Sequence, residues 1–283
     1  MEDFNNNEQQ PEGGLNSPEK ETENIFEEEN ELSVSDKLIG VFTEPAKTFE
    51  QISKTQIKVV DWLIPVFVFI VAVALSTIIM QTNPQIKYSL LDKQMETIQK
   101  SLDNAVSSGR ITQDQADEQL EKIRERMETG GPMMLFPQVM GIVIFSFIIF
   151  FIISGFFYGI TKFFLKGTGN FNAALVAYGL PFHILTVQTI LQVIIALLLG
   201  KIISDLSLAT LLGVDKTNIG GFLLSKLDAF TIWFYVIVGI GFAKMFKSDN
   251  VKKYVISIVG LWLGFSLLFF ILSKTFSFMN FLG

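Results

Sequence analysis

The chain has 283 residues, of which 49% are hydrophobic and 28 are phenylalanine, and its mean hydropathy is +0.43. It contains no cysteine and one histidine, which excludes disulfides and thiolate nucleophiles and argues against zinc or iron sites. The formal net charge is −6, so no nucleic-acid partner is expected. The sequence shows no nucleophile–base pair, carboxylate pair or metal cluster, and we predict no catalytic residue, metal, cofactor or enzymatic activity.

The first segment, residues 1–35, is an acidic tail. It contains eleven acidic residues and one lysine, and such a composition cannot bury enough apolar surface to fold. It has neither the basic n-region nor the apolar h-region of a signal peptide. We predict a disordered tail, which is either simply solvated or docks to a basic partner.

Residues 36–60 contain two short amphipathic patterns separated by a break. The first apolar face is Leu38, Ile39 and Phe42, and the second is Phe49 and Ile52. Pro45 falls in the first turn of the second pattern, where a missing N–H costs nothing. Short apolar faces accompanied by lysines are typical of helices that lie in the membrane interface, and we predict two such interfacial amphipathic helices.

Five long apolar runs follow, in a membrane domain at residues 61–275. A continuous apolar run of about 18 or more residues predicts a membrane-spanning helix, whereas barrel strands would be short and alternating. The predicted spans are 62–80, 135–164, 173–200, 229–246 and 254–272, and the fourth is the shortest. The predicted fold class is therefore all-α, a polytopic integral membrane helical bundle with five transmembrane helices.

The segment between the first two spans, residues 84–130, is charged and rich in helix formers, with a break at "SSGR". Thr112 and Gln115 have the spacing of a capping box. We predict a water-exposed helical hairpin. After the third span, apolar residues from Ile202 to Leu208 predict a short surface helix.

Polar residues within the spans are few. His183, Gln188, Thr189 and Gln192 all lie in the third span. They are candidates for a polar cavity or ligand site, as in a carrier, but equally for hydrogen bonds between helices. Asp61 and Asp228 begin spans, where a carboxylate can cap a helix.

Small residues recur at four-residue spacing in three spans. The pairs are Gly155 and Gly159, Gly239 and Ala243, and Gly260 and Gly264. Such pairs let helices approach closely in lipid. They serve either packing within the bundle or contact with a second copy.

Three stretches together resemble the YIP family of Ypt/Rab-GTPase-interacting membrane proteins, in its bacterial branch. They are "GVFTEPAKTFEQI", "KGTGNFNAALVAYGLP" and "LDAFTIWFYVIVGIGFAKMF", and the matching positions include Gly167, Gly169, Tyr178, Pro181, Asp228 and Trp233. The resemblance implies five spans with a cytoplasmic N-terminus and a C-terminus across the membrane. Eukaryotic relatives are associated with Rab GTPases, vesicle budding and membrane shaping. Their aspartate-leucine-tyrosine-glycine-proline motif is missing from this sequence, which argues against GTPase binding here.

The distribution of lysine and arginine favours the same orientation. The two sides of the membrane carry equal numbers near the spans, but two very short turns concentrate six lysines on the side of the N-terminus. We therefore expect an integral membrane protein with a cytoplasmic N-terminus and an extracytoplasmic C-terminus. The abundance of Phe, Ile, Lys and Asn and the lack of a sorting signal favour a bacterial inner membrane. The first hypothesis for function is a non-enzymatic scaffold or adaptor that organises lipids or partner proteins, including itself, in a membrane-shaping or trafficking-like role. The alternative is a small-solute transporter or channel that uses the polar face of the third span.

Overall fold

The computed structural model describes residues 31–129 and 135–275, and these ranges are helical with no strand. All but the last residues of the predicted acidic tail lie outside the described residues. The helices are α1 (Val34–Thr43), α2 (Pro45–Lys54), α3 (Val60–Met80), α4 (Pro84–Ser107), α5 (Gln113–Thr129), α6 (Leu135–Phe163), α7 (Phe171–Gly179), α8 (Phe182–Leu199), α9 (Leu208–Leu212), α10 (Ile219–Ser225), α11 (Ala229–Met245) and α12 (Val251–Thr275).

Four segments are long and apolar enough to cross a membrane: α3, α6, α7 with α8, and α12. The helix α11 has 17 residues, which at about 1.5 Å per residue falls short of a hydrocarbon core about 30 Å thick. It passes the same test only together with α10, from which it is bent by 62°. An all-α membrane bundle is confirmed, with four spans or with five if the bent pair is one span.

The third predicted span is a single segment, Phe171–Leu199, with an interruption at Pro181. Proline has no N–H and cannot donate to the carbonyl of Ala177 one turn earlier. The helix resumes at once, because Ile184 donates its N–H to the carbonyl of Pro181 at 2.9 Å. The proline therefore separates α7 from α8 without ending the span.

A layer of aromatic rings holds the middle of the bundle together. Trp62 of α3 stacks on Phe150 of α6 with ring centroids 5.4 Å apart, and Phe150 lies 5.7 Å from Tyr178 of α7. Phe182 of α8 meets Phe234 of α11 edge to face at 5.5 Å. Such pairs add about 0.5–1.5 kcal/mol each beyond the burial of their area, so this layer fixes the heights of four spans relative to one another.

The same layer shows that α3 begins partway up the bundle. Trp62 is the third residue of α3, yet it contacts the middle of α6 and lies against Gly179 at the end of α7. Along α7, Gly179 is about 12 Å from Phe171 at a rise of about 1.5 Å per residue. We call the end of the bundle with the turns at residues 164–170 and 246–250 the short-turn end. The space between this end and the start of α3 is available to other elements.

The helices α1 and α2 occupy that space. Val41, Phe49 and Ile52 are at most 1% exposed, and the ring of Phe49 reaches to 2.9 Å from the position of a Cβ on Gly241 of α11. The apolar face predicted for α2 is thus buried in protein and does not rest on lipid. On α1, by contrast, Val34, Leu38 and Ile39 are exposed.

The hairpin of α4 and α5 leaves the opposite end of the bundle. Thr112 and Gln115 form the predicted capping box, since each backbone N–H donates to the other residue's side-chain oxygen, at 3.0 and 3.3 Å. Ile86 at the base of α4 is fully buried and belongs to a small cluster with Ala196 of α8. We call this the hairpin end.

The short surface helix predicted from Ile202 to Leu208 is wrong in its position, because α9 begins only at Leu208. The carboxylate of Asp205 accepts the backbone N–H of Ser207 at 3.1 Å. A local side-chain bond of this kind competes with helical hydrogen bonds, and Ser207 in turn caps α9 by accepting from Thr210 at 3.4 Å.

The small residues fall into two groups. A Cβ on Gly239 would come within 2.6 Å of the Cα of Val255 on α12, and Ala243 one turn later is fully buried. That pair therefore lies at a close contact between α11 and α12. A Cβ would meet nothing within 4 Å at the other four, which are Gly155, Gly159, Gly260 and Gly264. Among residues 31–129 and 135–275, these four bring no helices into close contact, and contact with a second copy stays a prediction.

Candidate functional site

The polar face of α8 makes hydrogen bonds to other segments of the protein at the hairpin end. Gln188 donates from Nε2 to Oδ2 of Asp228 at 2.8 Å, and the backbone N–H of Leu206 donates to the same oxygen at 3.1 Å. The other oxygen of Asp228 accepts the N–H groups of Phe230 and Thr231 at 3.0 and 3.1 Å. Asp228 is the N-cap of α11, as the sequence predicts, and its four donors satisfy a carboxylate that is 2% exposed.

The other candidates on this face are also engaged or enclosed. The hydroxyl of Thr189 donates to the carbonyl of Leu185 at 2.9 Å, and Gln192 reaches the carbonyl of Ser204 at 3.5 Å. His183 is 8% exposed. The structure brings Gln188 and Gln192 together with the segment between the third and fourth spans, so the polar groups that a carrier would offer to a solute make hydrogen bonds within the protein.

A second polar cluster, which the sequence reasoning missed, lies next to this face. Oδ1 of Asp205 accepts from Thr210 at 2.6 Å and from the hydroxyl of Ser207, while Lys216 donates to Oδ2. Burial alone would raise the pKa of Asp205, but the hydrogen bonds from Lys216, Ser207 and Thr210 outweigh it and hold the pKa far below its usual range. The sequence signal that could have indicated this cluster is the group of turn-forming Ser, Thr and Asp residues around Asp205.

At the base of α3, a buried ion pair joins α1 to the bundle. The ammonium of Lys37 lies 2.6 Å from Oδ1 of Asp61, with side chains that are 10% and 2% exposed. Oδ2 of Asp61 accepts the backbone N–H of Lys58 at 2.9 Å. The expected role of Asp61 as an N-cap is therefore wrong: α3 begins at Val60 with Val59 at the cap position. Removing one partner of a buried pair leaves an uncompensated charge.

At the short-turn end, Glu50 of α2 bridges two lysines. Its carboxylate lies 2.9 Å from the ammonium of Lys54 and 3.0 Å from that of Lys244 on α11. Hydrogen bonds from Lys54 and then from Lys244 lower the pKa of Glu50 from 4.5 to about 2. An open groove with a volume of about 440 Å³ lies over this ion-pair cluster.

The positions that carry the family resemblance are mostly packing positions. Cβ atoms on Gly167 and Gly169 would come within 2.8 Å of the ring of Phe246, so the turn before α7 can pass this ring only with glycine. Asn170 caps α7 by accepting from Ala173 at 2.9 Å. Tyr178 is in the aromatic layer, Pro181 precedes α8, and Trp233 meets Phe42 of α1 edge to face with centroids 5.5 Å apart.

The chemistry that this arrangement offers is ion pairing and hydrogen bonding. Within residues 31–129 and 135–275, no group of three or more His, Cys, Asp or Glu residues could hold a metal ion. Besides those of the exposed hairpin, ion pairs are found at the base of α3, at the short-turn end and in the segment after α8.

Comparison with known families identifies the chain. The family model described as the Yip1 domain matches residues 39–273. Neither a curated protein nor a solved structure matches the chain. The match begins within α1 and ends near the end of α12, so it includes part of α1, all of α2 and the spans. The chain is a membrane protein that belongs to the Yip1-domain family.

Proposed function

We propose that the protein is a non-enzymatic organiser of the membrane. It acts through α1 and α2 on lipids or on partner proteins in the same membrane. The observation that carries this proposal is that the two helices are fixed inside one half of the bundle while α1 still exposes apolar side chains outward. Val34, Leu38 and Ile39 are 49%, 38% and 60% exposed. A fixed apolar face at that height is suited to insertion among lipid chains.

The height of these helices favours an effect on a single leaflet. They fill the space between the short-turn end and the start of α3, which is about 12 Å deep at about 1.5 Å per residue and compares with about 15 Å for half of the hydrocarbon core. They therefore add cross-section at one half of the bundle only. Extra area in one leaflet favours curvature towards that side, which is the kind of membrane shaping expected of a wedge.

We further propose that the short-turn end is cytoplasmic and that the membrane is a bacterial inner membrane, as in the bacterial branch of the family. Its two short turns and their flanks carry Lys162, Lys166, Lys244, Lys247, Lys252 and Lys253. Lysines and arginines in short loops favour the cytoplasmic side. Rab-type GTPase binding is not part of the proposal, because the motif of the eukaryotic relatives is missing.

The proposal can be tested by reconstitution into vesicles of zwitterionic lipid, with vesicle diameter and shape measured by electron cryomicroscopy. In proteoliposomes sorted for the short-turn end outward, we expect smaller or more strongly curved vesicles than in protein-free preparations. Leu38→Ser with Ile39→Ser should abolish the effect. The matched control is Leu211→Ser with Leu212→Ser, which changes residues of the same kind, 61% and 67% exposed, near the hairpin end. Equal curvature with the wild-type and the Leu38/Ile39 variant, both folded, would refute the wedge.

A second experiment separates lipids from protein partners. Crosslinking from the native membrane through a residue placed in α1 should recover lipid or a second copy if α1 acts on the bilayer. Repeated recovery of one specific protein that is lost in the Leu38/Ile39 variant would assign the organising role to a partner instead.

A further inference from the structure

The groove at the short-turn end has a composition suited to a phosphate group. It is lined by Glu50, Ser53, Lys54, Lys244, Lys247, Ser248 and Asp249. Three ammonium groups face two carboxylates, which leaves a net charge of +1. The hydroxyl of Ser53 donates to the carbonyl of Glu50 at 2.7 Å, so the lysines are the groups that an anion would meet. The groove lies where α2, the end of α11 and the following turn meet.

Its position places it at the level of lipid headgroups. Lys244 is in the last turn of α11, and Lys247 and Asp249 lie in the turn of residues 246–250 that joins α11 to α12. The ends of spans meet the headgroup region, where lysine side chains extend towards the phosphates. A ligand in this groove would therefore be in reach of the membrane surface.

Lys247 has an unusual backbone for its residue type. Its φ is +57°, in the left-handed region that normally favours glycine just after a helix. The backbone N–H groups of Lys247 and Ser248 donate to the carbonyls of Lys244 and Ala243 at 3.1 and 2.9 Å, so this conformation belongs to a helix C-cap that fixes the backbone of Lys247. Lys247 is exposed and contributes its charge to the groove.

Glu50 forms ion pairs with two of the three lysines that line the groove. It accepts from Lys54 and Lys244 at 2.9 and 3.0 Å, and these hydrogen bonds hold its pKa below its usual value. A phosphate that enters the groove would compete with this carboxylate for the same donors. Glu50 thus limits the affinity for anions while it holds the lysines in position.

We propose that this groove binds the phosphate group of an anionic phospholipid from the leaflet at the short-turn end. Lys244, Lys247 and Lys54 supply the charge, and Glu50 acts as an internal competitor. The inference deepens the proposed function and rests on it in one respect: the docked helix α2 supplies part of the site. The same phosphate chemistry could come from a soluble anion, so the test includes inorganic phosphate.

The experiment is a titration of delipidated protein with phosphatidylglycerol or phosphatidylcholine, with bound lipids counted by native mass spectrometry. We expect preferential binding of phosphatidylglycerol, weakened about fivefold by Lys247→Gln or Lys244→Gln, given about 1 kcal/mol per lysine near a charged surface. Glu50→Gln should instead strengthen binding about fivefold by the same reasoning. Lys47→Gln is the matched control, because Lys47 is an exposed lysine of α2 that pairs with Glu44 and does not line the groove.

Three results would overturn the inference. One is equal binding of phosphatidylglycerol by Lys247→Gln and Lys47→Gln. Another is weaker binding of this lipid by Glu50→Gln in protein whose N-terminal helices are still docked, with Val41 buried. The third is loss of the lipid preference in millimolar inorganic phosphate, which would assign the groove to a soluble anion. Because the vesicle assay of the proposed function uses zwitterionic lipid and substitutions in α1, each proposal can fail while the other stands.

Discussion

The buried ion pair of Lys37 and Asp61 should decide whether α1 stays docked. In Asp61→Asn, the amide oxygen can still accept from Lys58, so the hydrogen bond of 2.9 Å is retained and only the charge is lost. Lys37 would then be a buried ammonium without its carboxylate, which costs about 3–5 kcal/mol. At about 1.4 kcal/mol per factor of ten, the docked state should lose at least about 100-fold in population relative to the undocked state.

Because the sequence contains no cysteine, undocking of α1 can be measured by thiol labelling without a signal from native cysteines. Val41, one turn after Lys37, is fully buried, so a Val41→Cys reporter should react with a thiol reagent only when α1 undocks. The labelling rate of the reporter should rise at least about 100-fold on Asp61→Asn, up to the rate of an unprotected thiol. Adding Lys37→Met should recover most of the protection, because no buried charge then remains unpaired.

The control is Glu44→Gln, which removes an exposed pair with Lys47 whose side chains are 59% and 67% exposed. An exposed pair contributes up to about 1 kcal/mol, so labelling should change no more than about fivefold. If Asp61→Asn labelled no faster than Glu44→Gln, the ion pair would not be what holds α1, and the argument from its burial would be wrong.

Three further predictions concern packing, pH and capping. Gly239→Ala should lower the unfolding temperature in detergent, because overpacking a close helix contact costs about 1–3 kcal/mol. The control Gly155→Ala should leave that temperature unchanged, since its Cβ would meet nothing within 4 Å. Equal shifts in the two variants would contradict the contact assigned to Gly239. The folded-state pKa of Glu50 is lowered to about 2, so the stability that its ion pairs give to α2 is complete above its usual pKa of 4.5 and is lost as the pH falls towards 2. The hydrogen-exchange rate of α2, corrected for intrinsic rates, should therefore be constant from pH 7 to about 5 and should rise below about 4. Asp228→Ala should destabilise the bundle by more than about 1 kcal/mol through loss of a cap and of buried partners, whereas Gln192→Leu should have a smaller effect on the same thermal unfolding, since its single bond is 3.5 Å long.

Much of the secondary structure could be predicted because its signals are local. The capping box of Thr112 and Gln115 and the cap by Asp228 depend on residues within three positions of one another. The spans are equally local, since each is a run of apolar residues long enough to cross the hydrocarbon core. The fourth span is the exception: its short length was visible, but its bend against α10 was not.

The partners of the charged and polar side chains could not be predicted. Asp61 looked like a cap because it begins an apolar run, and its real partner is Lys37, 24 residues earlier. Glu50 and Lys244 are 194 residues apart, and no pattern in either neighbourhood points to the other. The glycine pairs illustrate the same limit: Gly155 and Gly260 each begin a GxxxG pair, yet a Cβ on either would meet nothing within 4 Å in the part of the chain that the structure describes.

By itself, the amino-acid sequence determined that this chain is an all-α membrane protein, where most of its spans lie and that it resembles the Yip1-domain family. Hydrophobic transfer and helix capping depend on neighbours along the chain, so they can be inferred without the fold. The tertiary structure alone decided that α2 is buried with Phe49 against Gly241, that α3 starts partway up the bundle, and that Gln188 binds Asp228. These features depend on which helices become neighbours in space, and that is set by the packing of the whole bundle.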